Sequence, residues 1–155
     1  MKKLSLFLSL CFSIFSLTAQ DLASPNGNLK MNFSLQEDGS PQYELQYKGK
    51  IVIKPSKLGL ELKNEEHSFL NNFSIVETAT NSFSETWEPV WGEESEIENN
   101  YNELLVELKQ EDAGRNLKIR FRLFDTGLGF RYEFPIQENL GHFVIKEERD
   151  RKSVV

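Results

Sequence analysis

The sequence predicts an all-β domain built as an antiparallel β-sandwich. Three observations lead to this fold class. Apolar and polar residues alternate with a period of two in several separate stretches, which is typical of strands with one buried face. Glycine, proline and acidic residues separate these stretches, as they do in hairpin connections. No stretch shows a sustained helical period, so about eight short strands favour a sandwich over an α/β fold.

The first part of the chain predicts three strands in meander order. In residues 29–35, leucine, methionine and phenylalanine alternate with polar side chains, and residues 43–47 repeat the alternation. Lys48-Gly49-Lys50 then predicts a tight turn. A short β-branched run, Ile51-Val52-Ile53, follows it. We expect Pro55 to end this third strand, because proline cannot donate to a sheet ladder.

The centre of the chain gives weaker signals. Residues 58–62 alternate around three leucines, and the polar residues that follow predict a loop. In residues 69–80, Phe73 and Ile75 are the side chains expected to point inward. Residues 104–108 alternate clearly and predict a further strand that leads into a turn at residues 111–116.

Residues 117–135 form two alternating runs about a glycine turn, which predicts a well-ordered hairpin. The apolar side chains of the first run share one face, so Arg120 and Arg122 are expected on the outward face. Gly127 and Gly129 are expected to adopt positive φ in the turn, where glycine has no steric cost.

The first nineteen residues have the pattern of a secretory signal. Lys2 and Lys3 form a positive start, an apolar stretch follows, and Leu17-Thr18-Ala19 is a small-residue cleavage site. A membrane anchor is the alternative, but the apolar run is interrupted by serines and is short for a hydrocarbon core of roughly 30 Å. We therefore expect a protein exported to the periplasm or the extracellular space. Cys11 is the sole cysteine and lies within this segment, so the mature chain is expected to contain no disulfide.

Charge and length exclude several functional classes. The chain has 18 basic and 24 acidic side chains, a formal net charge of −6, and no long basic block. Binding to nucleic acid, which requires neutralisation of phosphates, is therefore not expected. A chain of 155 residues suffices for one domain with a real core, but it is too short for a barrel enzyme with its own binding domain.

Two tryptophans are the candidate site residues. Trp87 and Trp91 lie in the segment Thr-Trp-Glu-Pro-Val-Trp-Gly. They could form a stacking platform for a sugar ring, since aromatic faces offer a broad apolar area with a polar edge. Packing in the core, or contact with another domain, is the alternative.

The remaining polar candidates do not form a recognisable catalytic or metal-binding pattern. Glutamates 93, 94, 96 and 98 could bind calcium, but their spacing matches no ordered calcium loop, and a solvated acidic face explains them better. His67 and His142 lack a second histidine or cysteine at metal spacing and are expected at the surface. No catalytic residue and no metal ligand can be assigned, because a glutamate-rich chain always offers some pair of carboxylates.

Several motifs in order nevertheless resemble one known family over about residues 20–149. The chain strongly resembles the amino-terminal domain of glycoside hydrolase family 97. The motifs that carry the resemblance are Leu22-Ala23-Ser24-Pro25-Asn26-Gly27, Tyr43-Glu44-Leu45-Gln46-Tyr47-Lys48, Pro55-Ser56-Lys57-Leu58-Gly59-Leu60, Glu85-Thr86-Trp87-Glu88-Pro89-Val90-Trp91-Gly92-Glu93 and Gly127-Leu128-Gly129-Phe130-Arg131-Tyr132-Glu133-Phe134-Pro135.

The resemblance implies a parent enzyme with three parts: an amino-terminal β-super-sandwich similar to galactose mutarotase folds, a central (β/α)8 catalytic barrel and a small carboxy-terminal β domain. Such enzymes cleave α-glucosides or α-galactosides, use calcium, and are typical of exported polysaccharide-degrading systems in Bacteroidota. The catalytic residues and the calcium ligands then belong to parts of the enzyme outside this chain.

We therefore expect a signal peptide at 1–19, a partial sandwich domain at 20–149, and a tail at 150–155 that departs from the family's pattern, as in a truncated gene product. The sandwich alone is expected to be inactive and to serve as a scaffold that docks on the missing barrel, with Trp87 and Trp91 near that contact. A stand-alone carbohydrate-binding module is the alternative. A mutarotase-like epimerase would need histidines in a sugar cleft, and His67 and His142 give it little support.

Overall fold

A computed structural model describes residues 19–63, 67–91 and 95–149 of the chain. Most of the proposed signal segment and the tail at 150–155 lie outside these residues. The described residues form ten strands and no helix, two strands more than the sequence predicts. The strands are β1 Gln20–Ala23, β2 Leu29–Leu35, β3 Pro41–Tyr47, β4 Lys50–Lys57, β5 Leu60–Leu62, β6 Phe73–Trp87, β7 Ile97–Gln110, β8 Arg115–Phe124, β9 Leu128–Glu133 and β10 Ile145–Glu148.

The strands form two four-stranded antiparallel sheets and one strand pair. The first sheet has the order β1-β2-β3-β4 and the second has the order β6-β7-β8-β9, so each sheet is a meander of sequential strands. β5 pairs with β10 in a separate ladder. The predicted antiparallel sandwich is confirmed, and the two strands that the sequence pattern did not indicate, β1 and β10, are both only four residues long.

The core lies between the inner faces of the two sheets. In β2, β3, β7 and β8 every second residue faces this core and most of these residues are apolar, as the sequence predicts. Phe121 of β8 lies at the centre, with ring centroids 5.6 Å from Phe33 and 6.4 Å from Tyr43 of the first sheet. Burial of such aromatic rings is the main contribution to sandwich stability.

A second aromatic cluster closes one end of the sandwich. Phe69, which is fully buried, lies 5.5 Å from Phe134 and 6.2 Å from Phe143 between ring centroids. The backbone N–H of Gly59 donates a hydrogen bond of 2.9 Å to the hydroxyl of Tyr132, which ties the start of β5 to β9. These contacts join the strand pair β5–β10 to the sandwich.

Turns between strands follow the predicted chemistry in one case and depart from it in another. Lys48 and Gly49 adopt φ of 48° and 76° between β3 and β4, which is the geometry of a two-residue hairpin turn. The prediction of positive φ for Gly127 and Gly129 is wrong, because neither is among the described residues with positive φ. The hairpin instead closes with a hydrogen bond of 2.9 Å from the N–H of Phe124 to the carbonyl of Gly127.

The sequence predicts that Pro55 ends the third strand, and this prediction is wrong. β4 continues through Pro55 to Lys57. The register between β3 and β4 shifts between Tyr43 and Leu45, so that Ser56 and Ile53 pair with these two residues and Pro55 falls in a bulge. Since β4 is also the last strand in its sheet, a residue without an N–H is tolerated there.

Candidate functional site

The outer face of the second sheet, which points away from the first sheet, carries a row of aromatic side chains. Phe83, Tyr101 and Phe124 lie opposite one another on β6, β7 and β8. The ring centroids are 5.2 Å apart for Phe83 and Tyr101 and 5.1 Å apart for Tyr101 and Phe124. The guanidinium carbon of Arg122 lies 4.6 Å from the centroid of Tyr101. These neighbours bury Tyr101 although it lies on the outer face.

Beside the aromatic row lies a charged cluster, which consists of Glu103, Arg120, Arg122, Arg131 and Glu133. Arg120 bridges the two carboxylates: its Nη1 lies 2.5 Å from Glu103 Oε1 and its Nε lies 2.6 Å from Glu133 Oε1. Arg122 donates from Nε to Glu103 Oε2 at 2.9 Å, and Arg131 donates from Nε to Glu133 Oε1 at 2.8 Å. The side chain of Glu103 is only 9% exposed, so its charge depends on these partners.

The ion pairs of the charged cluster favour the ionised form of both carboxylates. Hydrogen bonds from Arg120 first and from Arg131 next lower the pKa of Glu133 to about 2, against the opposing effect of burial. Burial opposes ionisation of Glu103, but hydrogen bonds from Arg122 and Arg120 outweigh it and lower the pKa of this carboxyl. The same contact with Glu133 raises the pKa of Arg120. The cluster therefore holds three positive and two negative charges at neutral pH.

The outer ends of β6 and β7 form a hairpin arm, defined as residues 81–87 and 97–100. β6 and β7 have 15 and 14 residues, far more than the five or six that are usual, and they remain paired up to Trp87 and Ile97. All seven β6 residues of the arm are exposed. Asn102 donates to the carbonyl of Ala23 at 2.8 Å just before the arm, where the first sheet ends. The arm thus extends beyond the core.

Both predicted site residues lie on the arm or beyond it. Trp87, the last residue of β6, is 47% exposed, and Trp91 in the following loop is 91% exposed. Val90 between them is 90% exposed. The alternative that these tryptophans pack in the core of this chain is therefore wrong. Binding of a sugar, or contact with another domain, stays a prediction. Three large apolar side chains at one tip form an exposed patch of the kind that marks interaction sites.

The other candidates give no catalytic arrangement. His67 Nδ1 lies 3.3 Å from Asp112 Oδ2 at the opposite end of β7, and His142 is exposed. Glutamates 96 and 98 are exposed, while glutamates 93 and 94 fall outside the described residues. Within residues 19–63, 67–91 and 95–149, no group of three or more His, Cys, Asp or Glu side chains could hold a metal ion.

Comparison with known proteins decides the family. The sequence profile of the glycosyl-hydrolase 97 N-terminal family matches residues 22–151, which is most of the chain. The chain belongs to this family. The resemblance drawn from its motifs is thereby confirmed.

Solved structures agree with this assignment. The glycosyl-hydrolase 97 N-terminal domain described here is similar to a family 97 enzyme from Pseudoalteromonas sp. strain K8, solved in complex with panose and in complex with acarbose, at 34% identity and a TM-score of 0.81. The match covers 87% of this chain and 20% of that enzyme. A β-arabinopyranosidase shares the fold, with 24% identity, a TM-score of 0.75, and coverage of 84% of this chain and 20% of its own. This chain thus spans about a fifth of the length of these relatives.

Arg120 and Arg122 lie on the outer face, as the alternation in β8 predicts, but their acidic partners are not evident from the local sequence. Glu103 and Arg122 are directly opposite in the register of β7 and β8, whereas Arg120 faces Arg131 across β8 and β9 and reaches Glu133 on the diagonal. Opposite charges on facing strands were a usable signal for this cluster. It required knowledge of the register, which the sequence alone does not supply.

Among the described residues, no helix has the length and apolar character needed to cross a membrane.

Proposed function

We propose that this chain is the amino-terminal domain of an exported α-glycosidase and serves as the scaffold on which a catalytic barrel docks. The whole protein is then a hydrolase of α-glucosides or α-galactosides, and the domain alone is inactive. The observation that carries this proposal is membership of the glycosyl-hydrolase 97 N-terminal family over residues 22–151, in a chain that spans 20% of a family 97 enzyme.

The hairpin arm is the part of the domain best suited to contact the barrel. It extends past the core to Trp87, which is 47% exposed, and the loop that follows carries Val90 and Trp91, which are 90% and 91% exposed. Covering a fully exposed tryptophan side chain such as Trp91 removes about 150–250 Å² from water, which corresponds to roughly 4–6 kcal/mol before the entropic costs of ordering, and Trp87, which is already half covered, can contribute about half as much. A tip with two such residues therefore supports a role as an anchor for a neighbouring domain.

Hydrolysis of p-nitrophenyl α-glucoside and α-galactoside tests the scaffold role. This chain is compared with the longer protein that includes the catalytic domain. Turnover is expected from the longer protein and not from this chain, and measurable turnover by this chain would refute the proposal. In the longer protein, Trp91→Ala is expected to lower both turnover and the thermal midpoint. Tyr47→Ala, which alters an exposed aromatic residue on the first sheet, away from the hairpin arm, is the control and is expected to leave turnover unchanged.

A stand-alone carbohydrate-binding module is the second candidate, and the exposure of Trp87 and Trp91 supports it. Sugar rings stack on exposed aromatic faces, and the similar enzyme from Pseudoalteromonas was solved with panose and acarbose. Titration of this chain with malto-oligosaccharides, followed by tryptophan fluorescence, separates the two candidates. Saturable binding that Trp91→Ala abolishes would favour the module, while the absence of a fluorescence change would favour the scaffold.

Calcium and export belong to the same proposal. In the whole protein, calcium would be bound by residues of segments outside this chain. Export to the periplasm or the extracellular space rests on the signal pattern in residues 1–19. Amino-terminal sequencing of the secreted protein tests it, with a new terminus at Gln20 as the expected result.

A further inference from the structure

A cavity opens on the outer face of β8 and β9, at the edge of the aromatic row. Its volume is about 280 Å³, close to the lower end of the range of small-molecule pockets, which is roughly 300–1,000 Å³. The lining residues are Arg120, Arg122, Phe124, Gly129, Phe130 and Arg131. The cavity thus lies within the charged cluster and apart from the tip of the hairpin arm.

Two of the lining guanidinium groups each use one nitrogen to donate a hydrogen bond, and that of Arg122 also lies over the ring of Tyr101. Arg122 uses Nε to donate to Glu103, and Arg131 uses Nε to donate to Glu133. A guanidinium has five N–H donors in a planar fork, so four remain on each side chain. In the described parts of the chain, the terminal amino groups of these two arginines make no hydrogen bond. Both side chains are thus oriented and still able to donate.

Arg120 does not share this property. Its Nε and Nη2 donate to Glu133, and its Nη1 donates to Glu103. It therefore forms a neutralised wall of the cavity, and the excess positive charge of the cluster falls on Arg122 and Arg131. This positive site stands out on a chain whose formal net charge is −6.

The position between the two anchored arginines is open because of Gly129. This glycine is the residue opposite Arg122 in the β8–β9 register, and Arg131 is the next outward residue on β9. A Cβ atom built on Gly129 would meet no heavy atom within 4 Å. Any larger side chain would occupy that space, so with glycine only backbone atoms lie between the two guanidinium groups. Phe124 supplies an apolar wall.

We propose that this notch, formed by Arg122, Arg131 and Gly129, is a binding site for a carboxylate group. Two planar guanidinium groups match the two oxygens of a carboxylate, because each fork can donate paired hydrogen bonds to them. The neutralised Arg120 and the apolar Phe124 leave room for the body that bears the carboxylate. That body is either a free acidic sugar or an acidic side chain from another part of the whole protein.

Arginine side-chain NMR of this chain tests the site directly. The Nε–H signals are followed during titration with sodium glucuronate, and with glucose as the uncharged control, at constant ionic strength. Saturable shifts confined to Arg122 and Arg131 are expected with glucuronate and not with glucose. Shifts that do not saturate, or that spread equally over all arginines, would overturn the proposal.

A matched pair of variants separates a shaped site from simple charge attraction. Arg131→Lys keeps the charge and removes the fork, and it is expected to weaken glucuronate binding about tenfold, the order of effect of one charged hydrogen bond. Arg131 is 61% exposed, so the variant is expected to fold, which circular dichroism verifies. Arg149→Lys makes the same change at an exposed site beside Glu61 and is expected to have no effect. Equal weakening by both variants would overturn the site.

The same titration of the longer protein distinguishes the two sources of the carboxylate. This experiment rests on the proposed function. If an internal acidic side chain fills the notch, glucuronate no longer shifts Arg122 and Arg131 there, although it does so in this chain. If the ligand is a free acidic sugar, the shifts persist in both proteins. Failure of the titration in this chain refutes the notch and leaves the glycosidase assay unaffected, so the two proposals fail separately.

Discussion

Replacement of Glu133 by glutamine should destabilise the domain by an amount that depends on pH. Arg120 and Arg131 hold the pKa of Glu133 at about 2, compared with an ordinary value of 4.5. Since each unit of pKa is about 1.4 kcal/mol, the ion pairs contribute at most about 3 kcal/mol to folding at neutral pH. The side chain is 27% exposed, and solvent screening reduces the expected effect to about 1–2 kcal/mol.

The direction of the pH dependence follows from the lowered pKa. A carboxyl with a lower pKa in the folded state stabilises the fold fully above its unfolded pKa, and this contribution is lost as pH falls through the folded value. The difference between the free energies of unfolding of the unaltered chain and Glu133→Gln should therefore be constant from pH 7 to about 5. It should then shrink between about pH 4.5 and 2.

Urea denaturation followed by circular dichroism measures this difference at each pH. Glu85→Gln is the control, because Glu85 is an exposed residue of the hairpin arm, and it should change stability by less than about 0.5 kcal/mol at any pH. A Glu133→Gln variant as stable as the unaltered chain at pH 7 would refute the reasoning. So would a difference that stayed constant down to pH 2.

Three further predictions concern packing, backbone and surface. Phe121→Ala should lower the free energy of unfolding by about 3–5 kcal/mol in urea denaturation, because Phe121 is fully buried between the sheets; a loss below about 1 kcal/mol would contradict its central position. Gly39→Ala and Gly49→Ala both force an alanine to adopt a φ near 75°. The new Cβ at position 39 would lie 2.5 Å from the backbone nitrogen of Phe73, whereas the Cβ at position 49 would meet no heavy atom within 4 Å. The Gly49 variant should lose about 1–2 kcal/mol and the Gly39 variant clearly more, and equal losses would disprove the role of the close contact. Trp91→Ala in this chain should leave the thermal midpoint unchanged, since Trp91 is 91% exposed, and a marked fall would show that the loop packs on the domain.

Strand identity was largely predictable because alternation records which face is buried. In β8 the inward residues from Leu117 to Leu123 are all fully buried, as their pattern indicates. β10 was not predicted, because its four residues are all exposed and its only apolar member is Ile145. Its pairing with β5 depends on a contact distant in sequence. The continuation of β4 through Pro55 was also hidden, since it depends on a bulge and on the edge position of that strand.

The site was less predictable than the fold. The spacing of Trp87 and Trp91 is compatible with either a buried or an exposed position, and exposure follows from the unusual length of β6 and β7 beyond the first sheet. Tyr101 shows the opposite case, as an outer-face residue that neighbouring side chains from two other strands bury. Both outcomes are set by packing between elements, which local residue patterns do not encode.

The ladder between β5 and β10 has a consequence for the order of folding. Each four-stranded meander joins strands that are consecutive in the chain, so its ladders can grow outward from short turns. β5 and β10 pair residues such as Leu62 and Ile145, which are about 80 residues apart. Closing a loop of that length costs about 2 kcal/mol more than closing a hairpin turn of about six residues. β10 is therefore expected to join the fold last and to detach first, which makes its amides the earliest to exchange with solvent.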